Sequence, residues 1–294
     1  MTPHLLYPCF KYEDIAEGKT NLFVAWEDNV EINLGMPTDV SGQYALKSID
    51  AALAAAKAGA VEGIVTAPIN KWNIAQEVEN FAGHTGYLAT ALESKVLMIL
   101  CSDQLRVATV TGHIPIRSVA QALSIELIEE KLSLLTRSLH EDFGLVRPKI
   151  AVLGLNPHAG EMGTIGEEEE TIIAPAIDRA AKKLKATIRG PFPADGFFGQ
   201  GHETRFDAVL GMYHDQVLVP FKSLAMGSGT NYSAGLPVVR TSPDHGTAMH
   251  LAGKNVADES SFRQALFMAI DIVKQRLVYQ EMMKNPLQKQ SEQR

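Results

Sequence analysis

The chain has 294 residues, of which 46% are hydrophobic and 21% charged, with a formal net charge of −7. This is the composition of an ordinary globular protein of one large or two modest domains. No apolar run reaches the roughly 18 residues a membrane span needs, which excludes an integral membrane protein, and the acidic balance without a Lys/Arg cluster argues against nucleic acid as partner. The start lacks a basic segment followed by an apolar one, and two cysteines, Cys9 and Cys101, make no disulfide framework. A reducing cytoplasm is the expected home. Anionic small molecules stay open as ligands, since a site can be locally positive on an acidic protein.

Residues 1–41 carry little periodicity. The Ala-rich stretch 42–58 has an apolar face at Leu46, Ile49 and Leu53, and Gly59 is a natural helix stop. Gly63–Thr66 reads as a buried strand, and Lys95–Cys101 and Arg106–Thr111 as two more joined tightly through 102–105. Ser124 opens a helix with Leu127, Ile128, Leu132, Leu135 and Leu139 inward, closed by Gly144. Lys149–Leu155 is a predicted strand and Glu167–Thr187 a predicted helix with Ile173, Ala176, Ala180 and Leu184 inward. Its leading glutamates, Glu167 to Glu170, read as a solvated cap favoured by the helix dipole. Asp207–Tyr213 and Leu236–Arg240 are further strands, and Phe262–Met282 a long terminal helix with a polar tail. Such alternation predicts an α/β fold on a largely parallel sheet.

Ligands of α/β proteins bind beyond the carboxyl ends of strands. Three predicted strands are followed there by a histidine: His113 in Gly112–Arg117, His158 in Asn156–Glu161, and His214 before Asp215 and Gln216. Neutral imidazoles suit zinc and similar ions, though no local HExxH-type spacing is present and one histidine alone is usually structural. His4, His140, His202 and His250 have no such setting and read as structural or exposed. Gly83-His84-Thr85-Gly86 offers a ring donor, a hydroxyl and close backbone approach to an anion. Lys222, Asn231 and Arg240 add cations and an amide, each of which alone would pass for a surface group. The stretch from Asp244 to Lys254 does not follow GxGxxG, so a Rossmann phosphate loop is not supported.

Taken together, TAPINK (66–71), GHTGYLA (83–89), VTGHIPIR (110–117), GLNPHAGEMGTIGEEE (154–169), GPFPAD (190–195), DAVLGMYHDQ (207–216) and GLPVVRTSPDHGTAMHLAGK (235–254) resemble the 4-hydroxythreonine-4-phosphate dehydrogenases of pyridoxal phosphate synthesis. The last block is also similar to the adenine-side loop of isocitrate and isopropylmalate dehydrogenases. The resemblance implies the two-lobed α/β/α fold of those enzymes. Its outer, cofactor-side lobe would be 1–80 with 245–294, and its central lobe, with metal, substrate and dimer contacts, 81–244.

The resemblance further implies a divalent metal (zinc, magnesium or cobalt) on His113, His158 and His214, in a site shared between two subunits of a homodimer. It implies substrate contacts at His84, Thr85, Lys222, Asn231 and Arg240, and catalytic roles for Lys222, Asp195 and Asp215. NAD or NADP would meet His245, Gly246, Thr247, Ala248 and Gly253. The expected reaction oxidises 4-phosphohydroxy-L-threonine to a 3-keto acid, which loses carbon dioxide to give 3-amino-2-oxopropyl phosphate.

The match has gaps. The family's opening block, similar to GDPAGIGPE, is absent, so the start reads as shortened by about one β-α unit, with the true start expected upstream. Gly86 stands where the family commonly has Glu, and Ser233-Ala234 where a Thr-bearing pair is usual. Three further readings therefore stay open. One is a dehydrogenase of phosphorylated threonate or erythronate, or of a dihydrodiol carboxylate. The others are a metal-dependent aldolase or hydrolase without nicotinamide, and an inactive truncated paralogue.

Overall fold

Side chains leave a strand alternately to its two faces, and here both faces of one large sheet are packed under helices. The computed structural model describes residues 6–31, 33–75, 81, 83–225 and 227–285. Near the start, β1 (Tyr7–Cys9) and β2 (Asn21–Phe23) pair in parallel as a small sheet of their own. Then come α1 (Asp39–Lys57), β3 (Gly63–Val65), α2 (Lys71–Ala75), α3 (His84–Ala91), β4 (Leu97–Cys101) and β5 (Arg106–Thr109). After α4 (Val119–Ala122) and α5 (Ile125–Glu141) follow β6 (Lys149–Leu153), α6 (Ala174–Lys183), β7 (Thr187–Phe192) and α7 (Ala194–Gly199). The chain continues through β8 (Ala208–Gly211), α8 (His214–Ala225), β9 (Thr230–Ala234), β10 (Val239–Pro243) and α9 (Ser260–Lys284). Among the described residues no helix is long and apolar enough to cross a membrane.

The main sheet has eight strands in the order β3-β10-β9-β4-β5-β8-β6-β7. It is mixed rather than largely parallel. β3–β10, β5–β8, β8–β6 and β6–β7 run parallel, whereas β10–β9, β9–β4 and β4–β5 run antiparallel. For β4–β5 the cause is local: the turn 102–105, closed by Ser102 N–H on the Leu105 carbonyl at 2.9 Å, leaves no room for a crossover, so β5 must return beside β4.

One face holds Ile99, Ala108, Val152, Leu210, Tyr232 and Val239 under α5, α6 and α9. The other holds Leu100, Val107, Ala151, Leu153 and Val209 under α7 and α8. Ser124 caps α5 as expected, its Oγ accepting from the Leu127 N–H at 3.1 Å. Ile128, Leu132, Leu135 and Leu139 of that helix are fully buried, each contributing about 1.5–3 kcal/mol relative to exposure.

A third cluster joins α1 and α3 through Ile49, Leu53 and Leu88. Thr38 and Ser41 cap α1 reciprocally at 3.1 Å. Gly42 lets α2 approach, because a Cβ there would stand 2.5 Å from the Asn73 carbonyl oxygen. Lys71, the first residue of α2, lines the cleft described below.

Two segments depart from the predicted pattern. The helix expected over 167–187 ends at Lys183, and Thr187 already opens β7. It begins with a π-helical turn at Glu169–Ile173, just before Pro175, which has no N–H to donate to that turn. The glutamates also do not form a uniformly solvated cap: Glu169 is 3% exposed and folded under the preceding loop.

Candidate active site

Strand β10 turns Arg240 and Ser242 to one face and sends Thr241 to the other, where its hydroxyl donates to the Ala265 carbonyl of α9 at 2.8 Å. On the first face Arg240 shares with Asn231 of β9 the floor of a cleft of about 510 Å³. Arg240 is only 3% exposed. Its Nη2 donates to Thr66 Oγ1 at 2.6 Å, and its Nη1 to Thr85 Oγ1 and Ser233 Oγ at 3.2 Å each. All these acceptors are neutral. Burial alone pushes the guanidinium pKa down to about 10, and no acid among the described residues offsets it. Arg240 Nε and Asn231 Oδ1 are buried without a hydrogen-bond partner among the described residues. A buried cation without a counter-charge is costly unless a ligand supplies the anion.

The same cleft is lined by Lys71, His84, His113, His214, Lys222 and Asp244. Burial, then Arg240 and then Lys71, hold the His84 imidazole down to about 4. It is therefore neutral at pH 7, a donor or acceptor rather than a charge. The linkage has a definite sign. Between about pH 6.5 and 4 the unfolded chain binds a proton at this position that the native state refuses, so the stability contribution is complete above 6.5 and lost as pH falls. A His84→Gln variant should show a shallower fall in thermal midpoint between pH 6.5 and 4 than the parent. Identical slopes would mean that His84 is not the group responsible.

Lys222 of α8 lies 3.5 Å from Asp244 just beyond β10. Burial raises the Asp244 pKa, with Lys222, His214 and His245 acting against it. Gly229 makes room for this carboxylate, because a Cβ there would meet Asp244 Oδ2 at 3.1 Å.

The histidines follow β5, β6 and β8, and these are neighbours, parallel, in the sheet order β5-β8-β6. Their carboxyl ends therefore lie side by side. His113 and His214 face each other with ring centroids 5.2 Å apart. His214 Nδ1 is 2.7 Å from Asp215 Oδ1, which orients the ring, and no hydrogen bond from a described residue engages its Nε2. Burial lowers the His113 pKa, helped by Lys71 and His214, so its imidazole is held neutral as a metal ligand must be. This donor chemistry fits a divalent cation.

His158 stands apart: it is exposed, does not line the cleft, and no group of three His, Cys, Asp or Glu side chains is gathered for a metal within the described residues. Asp195, in the first turn of α7, and Asp215 are exposed and outside the cleft lining. Of the expected cofactor contacts, His245 and Gly246 line the cleft, with open space where a Gly246 Cβ would stand. This suits close approach of a planar or phosphate group. Thr247, Ala248 and Gly253 lie farther along the same loop, outside the lining.

Among the remaining histidines, His140 is structural, its ring nitrogens bridging the Leu145 and Lys185 carbonyl oxygens. His202 packs edge-on against Phe197 and His250 is exposed, while His4 lies outside the described residues. Lys71, Thr66 and Asp244 are site residues that the sequence does not single out, whereas Ser233 stands out there as a departure from the family pattern. The only signal of the first three is position, as polar residues inside otherwise apolar or Gly-rich blocks.

The family model described as "Pyridoxal phosphate biosynthetic protein PdxA" matches residues 9–269. The chain belongs to the PdxA family. Among similar PdxA-type proteins, a 4-hydroxythreonine-4-phosphate dehydrogenase of Bacteroides thetaiotaomicron is 49% identical over 266 residues, covering 90% of this chain and 73% of that one. Another of the same name from Vibrio parahaemolyticus is 41% identical, covering 85% and 76%. A crystal structure of 4-hydroxythreonine-4-phosphate dehydrogenase from Klebsiella pneumoniae superposes with a TM-score of 0.79 at 36% identity, covering 91% of this chain and 82% of that one. A terephthalate 1,2-cis-dihydrodiol dehydrogenase from Burkholderia xenovorans is more distant, with TM-score 0.62 and 27% identity over 87% and 80%. PdxA membership carries with it oxidoreductase chemistry, a nicotinamide cofactor and a divalent metal.

Proposed function

We propose that this chain oxidises 4-phosphohydroxy-L-threonine at its C3 hydroxyl with NAD or NADP and a divalent metal, and that the resulting keto acid loses carbon dioxide to give 3-amino-2-oxopropyl phosphate. The observation that carries this reading is the buried, uncompensated Arg240 on a cleft floor also reached by Lys71 and Lys222. Such a site suits a substrate bearing both a phosphate and a carboxylate. The same need for two anions favours it over an unphosphorylated dihydrodiol carboxylate.

When bound, the cation and the nicotinamide supply a positive charge for the reacting oxygen and an acceptor for two electrons. The chain's own groups do the rest. His113 and His214 are the cleft's metal-ligand candidates, with Asp215 fixing the His214 ring. His84 and Thr85 orient the substrate, and Thr85 is itself held by Arg240. Lys222 Nζ, beside Asp244, can take the hydroxyl proton and later return one to C2 when the carboxylate leaves. Asp195 could add a second acidic group only from across a subunit boundary.

We assign the third ligand to His158 across a homodimer. It stands on an exposed turn beside Met162, which is 88% exposed, so a second copy can bring its own turn to this cleft. On this reading 1–80 with 245–294 form the cofactor-side lobe and 81–244 the lobe of metal, substrate and dimer contacts.

The test follows reduced-cofactor absorbance with the phosphorylated threonine, NAD or NADP, and zinc, magnesium or cobalt, with and without chelator. Chelator-sensitive turnover is expected. Turnover only with a dihydrodiol carboxylate, or dinucleotide-independent cleavage, would overturn the reading. In His158→Ala, bound metal and turnover should be lost together, and unchanged values for both would remove His158 from the site.

A further inference from the structure

The loops that carry the three histidines are tied to one another by side chains that no part of the proposed chemistry uses. Thr111, two residues before His113, gives both its N–H and its Oγ1 to the Met212 carbonyl, at 3.2 and 2.7 Å. Met212 precedes His214 by two residues, and its N–H donates to Gln216 Oε1 at 2.7 Å. The other end of the same amide, Gln216 Nε2, donates to the Gly154 carbonyl at 2.6 Å, on the loop leading to His158. One unbroken line of hydrogen bonds therefore crosses the ends of β5, β8 and β6.

Beyond Gly154 the line ends on Glu169. Its Oε1 accepts the Leu155 and Asn156 N–H groups at 2.7 Å each, and its Oε2 accepts Asn156 Nδ2 at 2.9 Å. The turn it grips is strained. His158, Ala159, Glu161 and Met162 have φ of 54°, 50°, 44° and 54°, and Gly160 and Gly163 continue at 79° and 80°. A left-handed path at non-glycine residues persists only where the surroundings enforce it. Glu169 fills the inside of this path so closely that a Cβ on Gly160 would stand 2.6 Å from its Oε2.

We propose that Gln216 and Glu169 are positioning residues for the metal site. Gln216 ties the loop of His113 and His214, which face this chain's cleft, to the loop that offers His158 to the cleft of a second copy, and Glu169 holds the left-handed turn that presents His158. The proposal rests on the histidine reading given above.

The probe is Co2+, titrated into chelator-treated full-length protein by chelator competition, with its visible absorption band as a report on ligand geometry. Gln216→Met keeps the side-chain volume and removes both bonds, and Glu169→Gln removes one acceptor. Each is expected to weaken Co2+ binding roughly 10–100-fold, as loss of groups that orient metal ligands does, and to change the band. Gln216→Glu, which keeps the acceptor for Met212 and loses the donor to Gly154, should fall between Gln216→Met and the parent. A role in folding alone would lower the thermal midpoint of the metal-free protein without changing affinity or spectrum. Parent-like Co2+ affinity and spectrum in folded Gln216→Met would overturn the proposal, whatever Glu169→Gln does to folding. His113→Ala and His158→Ala run in the same titration separate the two ideas. If they bind Co2+ like the parent, the histidine set is wrong and the brace falls with it. If they lose it while Gln216→Met does not, only the brace falls.

Discussion

Arg240→Met should lower kcat/KM for the phosphorylated substrate by roughly 30-fold to several thousand-fold, while thermal stability changes little. The first part follows from desolvation. Removing one partner of a buried, hydrogen-bonded charge pair costs about 2–5 kcal/mol of binding, and each 1.4 kcal/mol is about tenfold. The second part follows because, among the described residues, no acid stands beside Arg240, whose partners are the neutral hydroxyls of Thr66, Thr85 and Ser233. An apolar side chain of similar length relieves a buried charge, which offsets the hydrogen bond Thr66 loses. Thr85 and Ser233 keep each other at 3.2 Å. Arg240→Lys keeps the charge but not the fork that spans three hydroxyls, so it should recover only part of the lost efficiency. Steady-state kinetics beside a thermal melt decide the matter. An unchanged KM and kcat in Arg240→Met would take the substrate anion away from this residue.

The largest effect on stability should come from the opposite face of the same strands. Asp142, 4% exposed at the end of α5, accepts hydrogen bonds from Ser138 Oγ, Tyr232 OH and Arg276 Nε, each at 2.6 Å. Arg276 Nη2 also donates to Tyr232 OH at 3.0 Å, so α5, β9 and α9 meet at one carboxylate. Burial beside Asp142 pushes the Tyr232 phenol well above its usual value, and it stays a donor at any physiological pH. Asp142→Ala strands the guanidinium and the phenol together, for about 3–5 kcal/mol. That is a large share of the roughly 5–15 kcal/mol a domain has in total. Denaturant unfolding should show the loss as a lower midpoint. KM of the folded fraction should hold, because Tyr232 faces away from the cleft while its neighbours Asn231 and Ser233 face it. A midpoint equal to the parent's would mean that this network does not hold the three elements together.

These two sites share β9, yet β9 was invisible in the sequence. Its residues, TNYSA, carry almost no apolar alternation, because one face meets Arg240 and the cleft while the other packs Tyr232 against Asp142. Elements whose burial is apolar and periodic were legible. The α5 helix, with its Ser124 cap and fully buried leucines, runs as its pattern indicates, and β4, β5, β6 and β8 lie inside their predicted segments. The start of α8 has the sequence signature of a loop, since a helix beginning at His214 and containing Pro220 gives a weak local signal.

What the sequence determined by itself was therefore the α/β class, the strands that deliver His113, His158 and His214 at one end, and the blocks that mark a PdxA chain. Those features reside in residue type and short-range period, which any reading of the chain can detect. The tertiary structure alone decided that Arg240 gathers Thr66 and Thr85 from 174 and 155 residues away and that Glu169 leaves the solvated row of its neighbours to grip the loop before His158. It also decided that β9 runs antiparallel between β10 and β4. Charge and hydrogen-bonding capacity are written in each residue, but the partner that satisfies them is fixed only when distant segments are packed together and water is excluded between them.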